Sequence, residues 1–318
     1  MIKSVDDLNF ELDHLRAAGI QRGEDTGFKS LDTLYSLKQG SYTIFLGAPG
    51  HGKSELVFEL LLNQSVKYGK RHLVYSPETG SPAEIVAELI HKYTRKPFFE
   101  SSSWCSTETE YFNAKNWILH HFQVVDSDEK AYSIQELFEM VHKFEKDNPG
   151  EKLQCVMADP YNELKNDMGS QRQDLYIEDM MGDVRRFCKK HMKHVCLTIH
   201  PGHQVKVEES GIRYYPMPTA REAAGGQALL RKAMTWINVW RPPYGLMDAD
   251  GYPYKDNQVL ITIEKAKPKG VSTKGSCNLF LNWQANRHYE EINGLPFYAF
   301  DHEKGVSKLQ PSEEFNAF

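Results

Sequence analysis

The sequence lacks the cysteine patterns and apolar runs that define several classes of protein. Its 318 residues include five cysteines, none in a CxxC pair or at a ligand-like spacing, so neither disulfides nor a zinc site are predicted. No segment approaches the roughly 18 uninterrupted apolar residues that a membrane helix needs. The N-terminal stretch MIKSVDDLNFELDHL carries acids and has no signal-peptide pattern. These absences predict a cytoplasmic protein without membrane contact.

Strong charge and internal repetition are also missing. The formal net charge of −5 argues against a protein coated in positive charge, but it leaves room for a local basic groove. We find no repeats and no low-complexity tract. The chain length suits one large α/β domain.

Three regions are predicted along the chain. Apolar residues recur at helical spacing near its start: Val5, Leu8, Leu12 and Leu15. Residues 1–23 are therefore interpreted as an N-terminal amphipathic linker helix, which either packs on its own domain or forms a separate arm. Residues 24–300 form the main domain, and the polar residues 301–318 form a C-terminal tail.

From Ser41 onward, short apolar runs alternate with longer amphipathic segments. The runs YTIFLG and HLVYS are each followed by a helical pattern, the first ending near Tyr68 and the second spanning residues 82–95. Later apolar runs are LQCVMAD, HVCLTIH, TWINVWR and QVLITIEK, with helices predicted at 134–146 and 172–192. Repeated βα units of this kind predict an α/β fold with a mostly parallel central sheet flanked by helices.

A phosphate-binding loop (P-loop) follows the first predicted strand. The segment GAPGHGKS matches the pattern G-x-x-x-x-G-K-[ST] and lies between a strand and a helix, as the motif requires. Its glycines let backbone N–H groups turn toward a phosphate at a helix N-terminus. Lys53 would reach the β- and γ-phosphates, and Ser54 would hold Mg²⁺. The predicted ligands are ATP and Mg²⁺, bound by Gly47, Ala48, Pro49, Gly50, His51, Gly52, Lys53 and Ser54.

Three strand ends offer the other groups that ATP hydrolysis needs. Asp159 closes the run LQCVMAD and is predicted to share the Mg²⁺, although a strand-terminal aspartate can also simply form a turn. Glu78 follows the strand after the P-loop helix, and it is the candidate general base if that strand lies beside the P-loop strand. His200 ends a strand and is either a γ-phosphate sensor or an ordinary strand-end histidine.

Several motifs occur in a fixed order: TGFKSLD before the first strand, the P-loop, YSPE, Asp159 with its following loop, TIHP, GGQAL and IEKAK. This ordered set resembles the replicative hexameric DNA helicases with a RecA-like core, of the DnaB and Twinkle type, in a phage or bacterial form. The likeness covers about residues 24 to 292. Only the P-loop is specific by itself.

The resemblance implies an ATP-hydrolysing DNA helicase and assigns roles by position. Glu78 would be the catalytic glutamate, Asp159 the Mg²⁺-associated aspartate and His200 the γ-phosphate sensor. Lys265 and Lys267 match a lysine and an arginine finger that reach the ATP site of the neighbouring subunit. A lysine at the finger position lacks the guanidinium fork that clamps phosphate oxygens. Three nearby cations could supply the missing function: Arg221, Arg231 and Lys269.

The resemblance also places an aromatic residue and two loops. Trp283 matches an aromatic residue that contacts the adenine base, or it is a core tryptophan. In related rings, two loops after the nucleotide-sensing strands line a central channel. The predicted DNA-binding residues on these loops are Lys165, Arg172, Lys206 and Arg213. Because both loops also carry acids, ordinary solvated loops are the alternative.

Three functions remain open. The first is a helicase motor that forms a homohexameric ring on single-stranded DNA, docks its N-terminal helix on the adjacent subunit and works with primase or other replisome proteins. The second is a RecA-like ATPase that remodels or filaments on DNA without unwinding it. The third is a slow ATP-dependent assembly switch.

Overall fold

The computed structural model of the chain describes residues 2–166 and 168–300. The predicted tail, residues 301–318, lies outside the described residues. The helices are α1 (Val5–Ala18), α2 (Lys29–Asp32), α3 (Lys53–Tyr68), α4 (Pro82–Thr94), α5 (Glu108–His121), α6 (Ile134–Asp147), α7 (Gln173–His191) and α8 (Gly226–Lys232).

Most of the strands belong to one sheet. They are β1 (Ser41–Leu46), β2 (His72–Tyr75), β3 (Phe122–Val124), β4 (Cys155–Ala158), β5 (His194–Ile199), β6 (Val207–Glu209), β7 (Ile212–Tyr214), β8 (Thr235–Trp240), β9 (Gln258–Lys265), β10 (Gly275–Asn282), β11 (Arg287–Ile292) and β12 (Leu295–Phe297). Ten of them form the sheet in the order β12-β11-β10-β9-β8-β1-β5-β4-β2-β3, whereas β6 and β7 pair as a separate hairpin.

The strands from β8 to β3 in this order are parallel, and β9 to β12 continue the sheet as antiparallel strands. The predicted α/β fold with a mostly parallel sheet is confirmed. The run QVLITIEK, now β9, pairs antiparallel with β8. The reason is the connection: residues 241–257 contain no crossover helix, so the chain turns back instead of returning parallel.

Two apolar cores cover the faces of the sheet. Alternate residues of β1 point to opposite faces, so Phe45 packs in one core and Ile44 in the other. Helices α3, α4 and α5 cover the first face through residues such as Leu60, Leu89 and Ile118. Helices α6, α7 and α8 cover the second through residues such as Val141, Val184 and Leu229.

The strand that leads to Glu78 is not where the sequence analysis expected it. β1 lies between β5 and β8, and β4 and β5 separate β2 from β1. The expectation that the strand before Glu78 lies beside the P-loop strand is therefore wrong. The crossover through α3 leaves room for two strands that come later in the chain, which adjacency in sequence cannot reveal.

The N-terminal helix stands apart from the sheet. Ser4 caps α1 by accepting a hydrogen bond from the Asp7 N–H, and no residue of α1 is buried against the described part of the chain. The interpretation of residues 1–23 as a linker helix stays a prediction. Among the described residues, no helix has both the length and the apolar character required to cross a membrane.

Candidate active site

The P-loop connects β1 to α3 at the carboxyl edge of the parallel strands. Gly50 and Gly52 have φ angles of 76° and 82°, in the left-handed region that glycine adopts without strain. At Gly47 a Cβ atom would lie 2.5 Å from the Val239 carbonyl oxygen, so the backbone approaches β8 too closely for any side chain. Because α3 begins at Lys53, the unpaired N–H groups of its first turn lie at the loop. This cradle fits a phosphate group.

Lys53 is buried beside the loop. Its Nζ donates to the Ala48 carbonyl oxygen at 3.2 Å and to His200 Nδ1 at 3.3 Å. Burial lowers the pKa of Lys53, and the carboxylates of Asp159 and Glu78 oppose this shift. Both acceptors are neutral groups, so the buried ammonium has no carboxylate in direct contact. A phosphate anion would compensate the cost of burying this charge.

Asp159 is buried and is held by three hydroxyl groups. Its Oδ1 accepts hydrogen bonds from Ser54 Oγ at 2.9 Å and from Thr198 Oγ1, and its Oδ2 accepts one from Ser76 Oγ at 2.5 Å. A carboxylate and a hydroxyl in contact suit Mg²⁺, which usually takes its other ligands from phosphates and water. Within the described ranges, no cluster of three or more His, Cys, Asp or Glu side chains could hold a metal by itself. Ser54 and Asp159 would hold Mg²⁺ together with phosphate oxygens and water.

His200 joins Lys53 to Glu78. Since Nδ1 accepts from Lys53, Nε2 carries the hydrogen and donates to Glu78 Oε2 at 3.0 Å. Glu78 is 49% exposed and His200 21% exposed, so this pair lies at the solvent side of the site. The structure thus brings Glu78 to the P-loop even though its strand is two strands further away than expected.

Three residues that the sequence analysis did not single out belong to this arrangement. Ser76 and Thr198 orient Asp159 from the motifs YSPE and TIHP, so their place beside predicted residues was the available signal. Asn162 lies in a 3₁₀ turn, Tyr161–Glu163, and its Oδ1 accepts the main-chain N–H of His200 at 3.4 Å. Nothing in the sequence pattern singles out Asn162.

Arg241 connects Trp283 to the P-loop. Trp283 is 51% exposed, so the alternative of a core tryptophan is wrong. The Arg241 guanidinium lies over its ring at 4.4 Å from the ring centroid, and the Arg241 N–H donates to His51 Nδ1 at 3.4 Å. Burial lowers the pKa of His51 to about 4, so the ring is neutral at pH 7 and can accept. Trp283 also borders an open cavity of about 420 Å³.

The lysines predicted to act on a neighbour lie at the opposite, amino edge of the parallel strands. Lys265 Nζ donates to the carbonyl oxygens of Leu230 and Arg231, the latter at 3.1 Å, and so holds the end of α8. Burial and the nearby Lys267 lower the pKa of Lys265. Lys267 lines a cavity of about 990 Å³ that we call the basic cavity, defined by its cations Arg185, Arg186, Lys189, Arg231, Lys232, Lys267 and Lys269. Arg221 does not line it.

The cations of the two predicted DNA loops differ in their contacts. Arg172 forms a two-pronged ion pair with Asp174, at 2.7 and 3.1 Å. Lys165 lies in the same loop, and its main-chain N–H donates to the Tyr132 carbonyl oxygen. In the second loop, the hairpin of β6 and β7 exposes Arg213, and Lys206 Nζ lies 5.0 Å from the Tyr215 ring centroid.

Comparison of the sequence with known proteins gives a curated relative. No family model matches the chain. The chain is 27% identical over 191 residues to the Twinkle homolog protein of Arabidopsis thaliana, described as chloroplastic/mitochondrial. The match covers 58% of this chain and 26% of that protein, so the chain spans about a quarter of the length of this relative. The predicted cytoplasmic location stays a prediction.

Solved structures give matches over most of the chain. The ATPase domain of G40P has a TM-score of 0.69 at 16% identity, covering 92% of this chain and 100% of that domain. A DnaB-like replicative helicase, solved in a study of its interactions with primase, has a TM-score of 0.68 at 15% identity and covers 91% of this chain and 67% of its own. The chain has the RecA-like α/β fold of DnaB-like helicase ATPase domains, and the predicted resemblance to replicative helicases of the DnaB and Twinkle type is confirmed.

Proposed function

We propose that the protein is the ATP-hydrolysing motor of a replicative DNA helicase, which translocates on single-stranded DNA and unwinds duplex DNA as part of a homohexameric ring. One observation carries the proposal. Lys53, Ser54, Asp159, Glu78 and His200 come from four separate segments and converge at the carboxyl edge of the sheet. The fold and the Twinkle-like sequence support the same reading.

The chemistry follows from the contacts in the site. Lys53 and the P-loop N–H groups bind the β- and γ-phosphates, while Ser54 and Asp159 hold Mg²⁺, which neutralises phosphate charge when bound. Glu78 accepts a proton from the attacking water, and the His200 Nε2–H holds its carboxylate in place. A positioned general base typically contributes about 10²- to 10⁴-fold in rate.

His200 connects this chemistry to both predicted DNA loops. Its side chain contacts Lys53, its main-chain N–H contacts Asn162 in the first loop, and it directly precedes the second loop. A change in the phosphates bound by Lys53 would therefore shift the loops that carry Lys165, Arg172, Lys206 and Arg213. Stepwise movement of these cations along a DNA strand would constitute translocation.

The positions of the two charged regions favour a head-to-tail assembly. The P-loop lies at the carboxyl edge of the parallel strands and the basic cavity at their amino edge. A contact between different surfaces of identical subunits closes into a ring when the rotation permits. In such a ring Lys267 acts on the neighbour's nucleotide. Of the three proposed substitutes for the finger, Arg231 and Lys269 line the same cavity and Arg221 does not.

Two further contacts belong to the proposed assembly. The apolar residues Leu8, Leu12 and Leu15 of α1 dock on the adjacent subunit, because they are 43%, 58% and 48% exposed on their own chain. Primase is proposed as a partner on the basis of the DnaB-like helicase that was solved in a study of its interactions with primase.

The test measures ATP turnover with and without single-stranded DNA, together with strand separation of a forked duplex. We expect DNA-stimulated turnover and separation, both lost in the Lys53→Ala protein. Stimulated turnover without separation would favour a remodelling ATPase. Turnover that ignores DNA would favour an assembly switch and contradict the helicase proposal.

A further inference from the structure

Two consecutive residues at the end of β8 contact two different functional regions. Trp240 is the last residue of β8 and contacts the segment that follows the β6–β7 hairpin. Arg241 follows it and contacts the P-loop residue His51 and the ring of Trp283. Because β8 pairs parallel with β1, its end lies at the same edge of the sheet as the P-loop.

The indole of Trp240 fixes the base of the hairpin. Its Nε1–H donates to the Tyr215 carbonyl oxygen at 2.9 Å, immediately after β7. The Tyr214 ring lies 6.1 Å from the Trp240 ring, and the Tyr254 ring packs edge-on at 5.8 Å. The hairpin itself is largely exposed and short, so this buried indole is a specific attachment of the hairpin to the sheet.

Arg241 has an unused hydrogen-bond donor beside the nucleotide site. Its Nε is buried and has no hydrogen-bond partner among the described residues, while its guanidinium is held over Trp283. A buried donor without an acceptor is unfavourable, so a ligand that offers an acceptor would draw this side chain toward it. The main chain of Arg241 is bonded to His51, which itself lies in the P-loop.

We propose that Trp240 and Arg241 form a positioning element that couples nucleotide binding at the P-loop to the β6–β7 hairpin. This inference rests on the proposed function, and it adds a second connection to the one through His200. The Arg241 N–H that bonds His51 belongs to the same planar peptide unit as the Trp240 carbonyl, so a main-chain displacement of Arg241 at the P-loop also displaces Trp240, whose indole holds the Tyr215 carbonyl. Nucleotide binding would favour one arrangement of Trp240 and Arg241, and DNA bound at the hairpin would favour an arrangement of the same two residues. The two ligands are coupled through this shared element.

The central variant is Trp240→Phe, which removes the indole N–H but keeps an aromatic ring against Tyr254. Its matched control is Trp117→Phe, because Trp117, in α5, stacks on Tyr93 of α4 and on His121, all outside the hairpin and the P-loop. We expect Trp240→Phe to retain basal ATP turnover and to reduce the stimulation by single-stranded DNA by about 2- to 30-fold, the range for residues that carry coupling. Trp117→Phe should retain both.

Hydrogen–deuterium exchange gives a readout that a merely structural role would not change. In the wild-type protein, a non-hydrolysable ATP analogue should alter exchange of residues 207–215, and in Trp240→Phe this response should disappear. At the other end of the element, His51→Ala should weaken the response, whereas His51→Asn should preserve it because the Asn Oδ1 can replace Nδ1 as acceptor.

The outcomes separate this inference from the proposed function. Full DNA stimulation and a wild-type exchange response in Trp240→Phe would overturn the coupling, as would an equal loss in Trp117→Phe. A wild-type protein that hydrolyses ATP without any response to DNA would instead contradict the proposed function. The nucleotide-dependent exchange of the hairpin would then still decide whether the link exists.

Discussion

The carboxyl and amino edges of the parallel strands differ in whether their charged groups are paired within the chain. At the carboxyl edge, Lys53, Asp159, Glu78 and His200 are joined by hydrogen bonds within the chain. At the amino edge, five cations of the basic cavity have no ion-pair partner among the described residues: Arg185, Lys189, Arg231, Lys267 and Lys269.

Burial explains the difference for Lys53 and Asp159, which are 5% and 2% exposed, whereas Glu78 is half exposed. A buried polar group must find partners in its own chain, whereas an exposed cation can remain solvated at little cost. The carboxyl edge is therefore organised before any ligand binds. The amino edge has the character of a surface that completes its contacts with an anion from outside the chain, which in the proposed ring is a neighbour's nucleotide.

The largest expected effect follows from replacing Lys53, the buried cation of the organised edge. Lys53→Met keeps the apolar stem and removes the charge, so we expect ATP affinity to fall by on the order of 100-fold or more, the loss of two charge-assisted hydrogen bonds. Because burial disfavours the charged lysine, the free energy of unfolding should stay level or rise. Nucleotide titration and urea unfolding measure the two effects.

Lys70→Ala is the control for this prediction. Lys70 lies outside the P-loop, and its Nζ forms an ion pair with Glu24 at a distance of 2.7 Å. The substitution should leave ATP affinity unchanged. Tight ATP binding by Lys53→Met would contradict the proposed role of the organised edge.

Glu78→Gln should separate binding from hydrolysis. The amide keeps the size of the side chain and can still accept from His200, but it cannot take a proton, so turnover should fall by about 10²- to 10⁴-fold while ATP affinity changes little. Single-turnover hydrolysis and nucleotide titration are the measurements. Glu84→Gln is the matched control. Glu84 is the third residue of α4 and forms its capping box, a position where glutamine can replace glutamate. Fast hydrolysis by Glu78→Gln would exclude it as the base.

The amino edge should affect activity only through a neighbouring subunit. Arg231→Ala and Lys267→Ala should each reduce DNA-stimulated turnover by about 10- to 100-fold, below the full effect of an arginine finger because several cations share the cavity. Arg221→Ala, outside the cavity, should have little effect.

Mixed assemblies test whether these cations act in trans. When Lys267→Ala subunits are mixed with Lys53→Met subunits, turnover should depart from the sum expected from simple dilution. A strictly additive mixture would place the function of Lys267 within its own subunit and would remove the proposed contrast between the two edges.

Local sequence patterns predicted the organised edge well. The P-loop, the strands β1, β2, β4 and β5 and the helices α3 and α4 follow from periodicity and from one specific motif, because each signal lies within a short stretch. The sheet order does not follow from such signals. The insertion of β4 and β5 between β1 and β2 is decided by packing between distant segments, so the reach of Glu78 to the P-loop could not be derived from chain order.

Other features were missed because their signals are weak in sequence. Helix α5 mixes exposed aromatic and polar residues, and β3 has only three residues. Asn162 and Arg241 act through single contacts, one of them made by a main-chain N–H, and no residue pattern encodes such contacts. The basic cavity combines cations from α7, α8 and the segment after β9, which only the fold brings together.

The smallest expected effects concern the DNA loops, where paired and unpaired cations can be compared directly. Arg213 is exposed and has no ion-pair partner among the described residues, whereas Arg172 is clamped by Asp174. Arg213→Ala should weaken binding to single-stranded DNA a few-fold and reduce the slope of log affinity against log salt by about 0.7, the value for one phosphate contact. Arg172→Ala should change neither quantity much, because Arg172 must first leave Asp174. Salt-dependent binding titrations of the two variants measure the contrast, and equal slopes would mean that pairing within the chain does not decide which cations meet DNA.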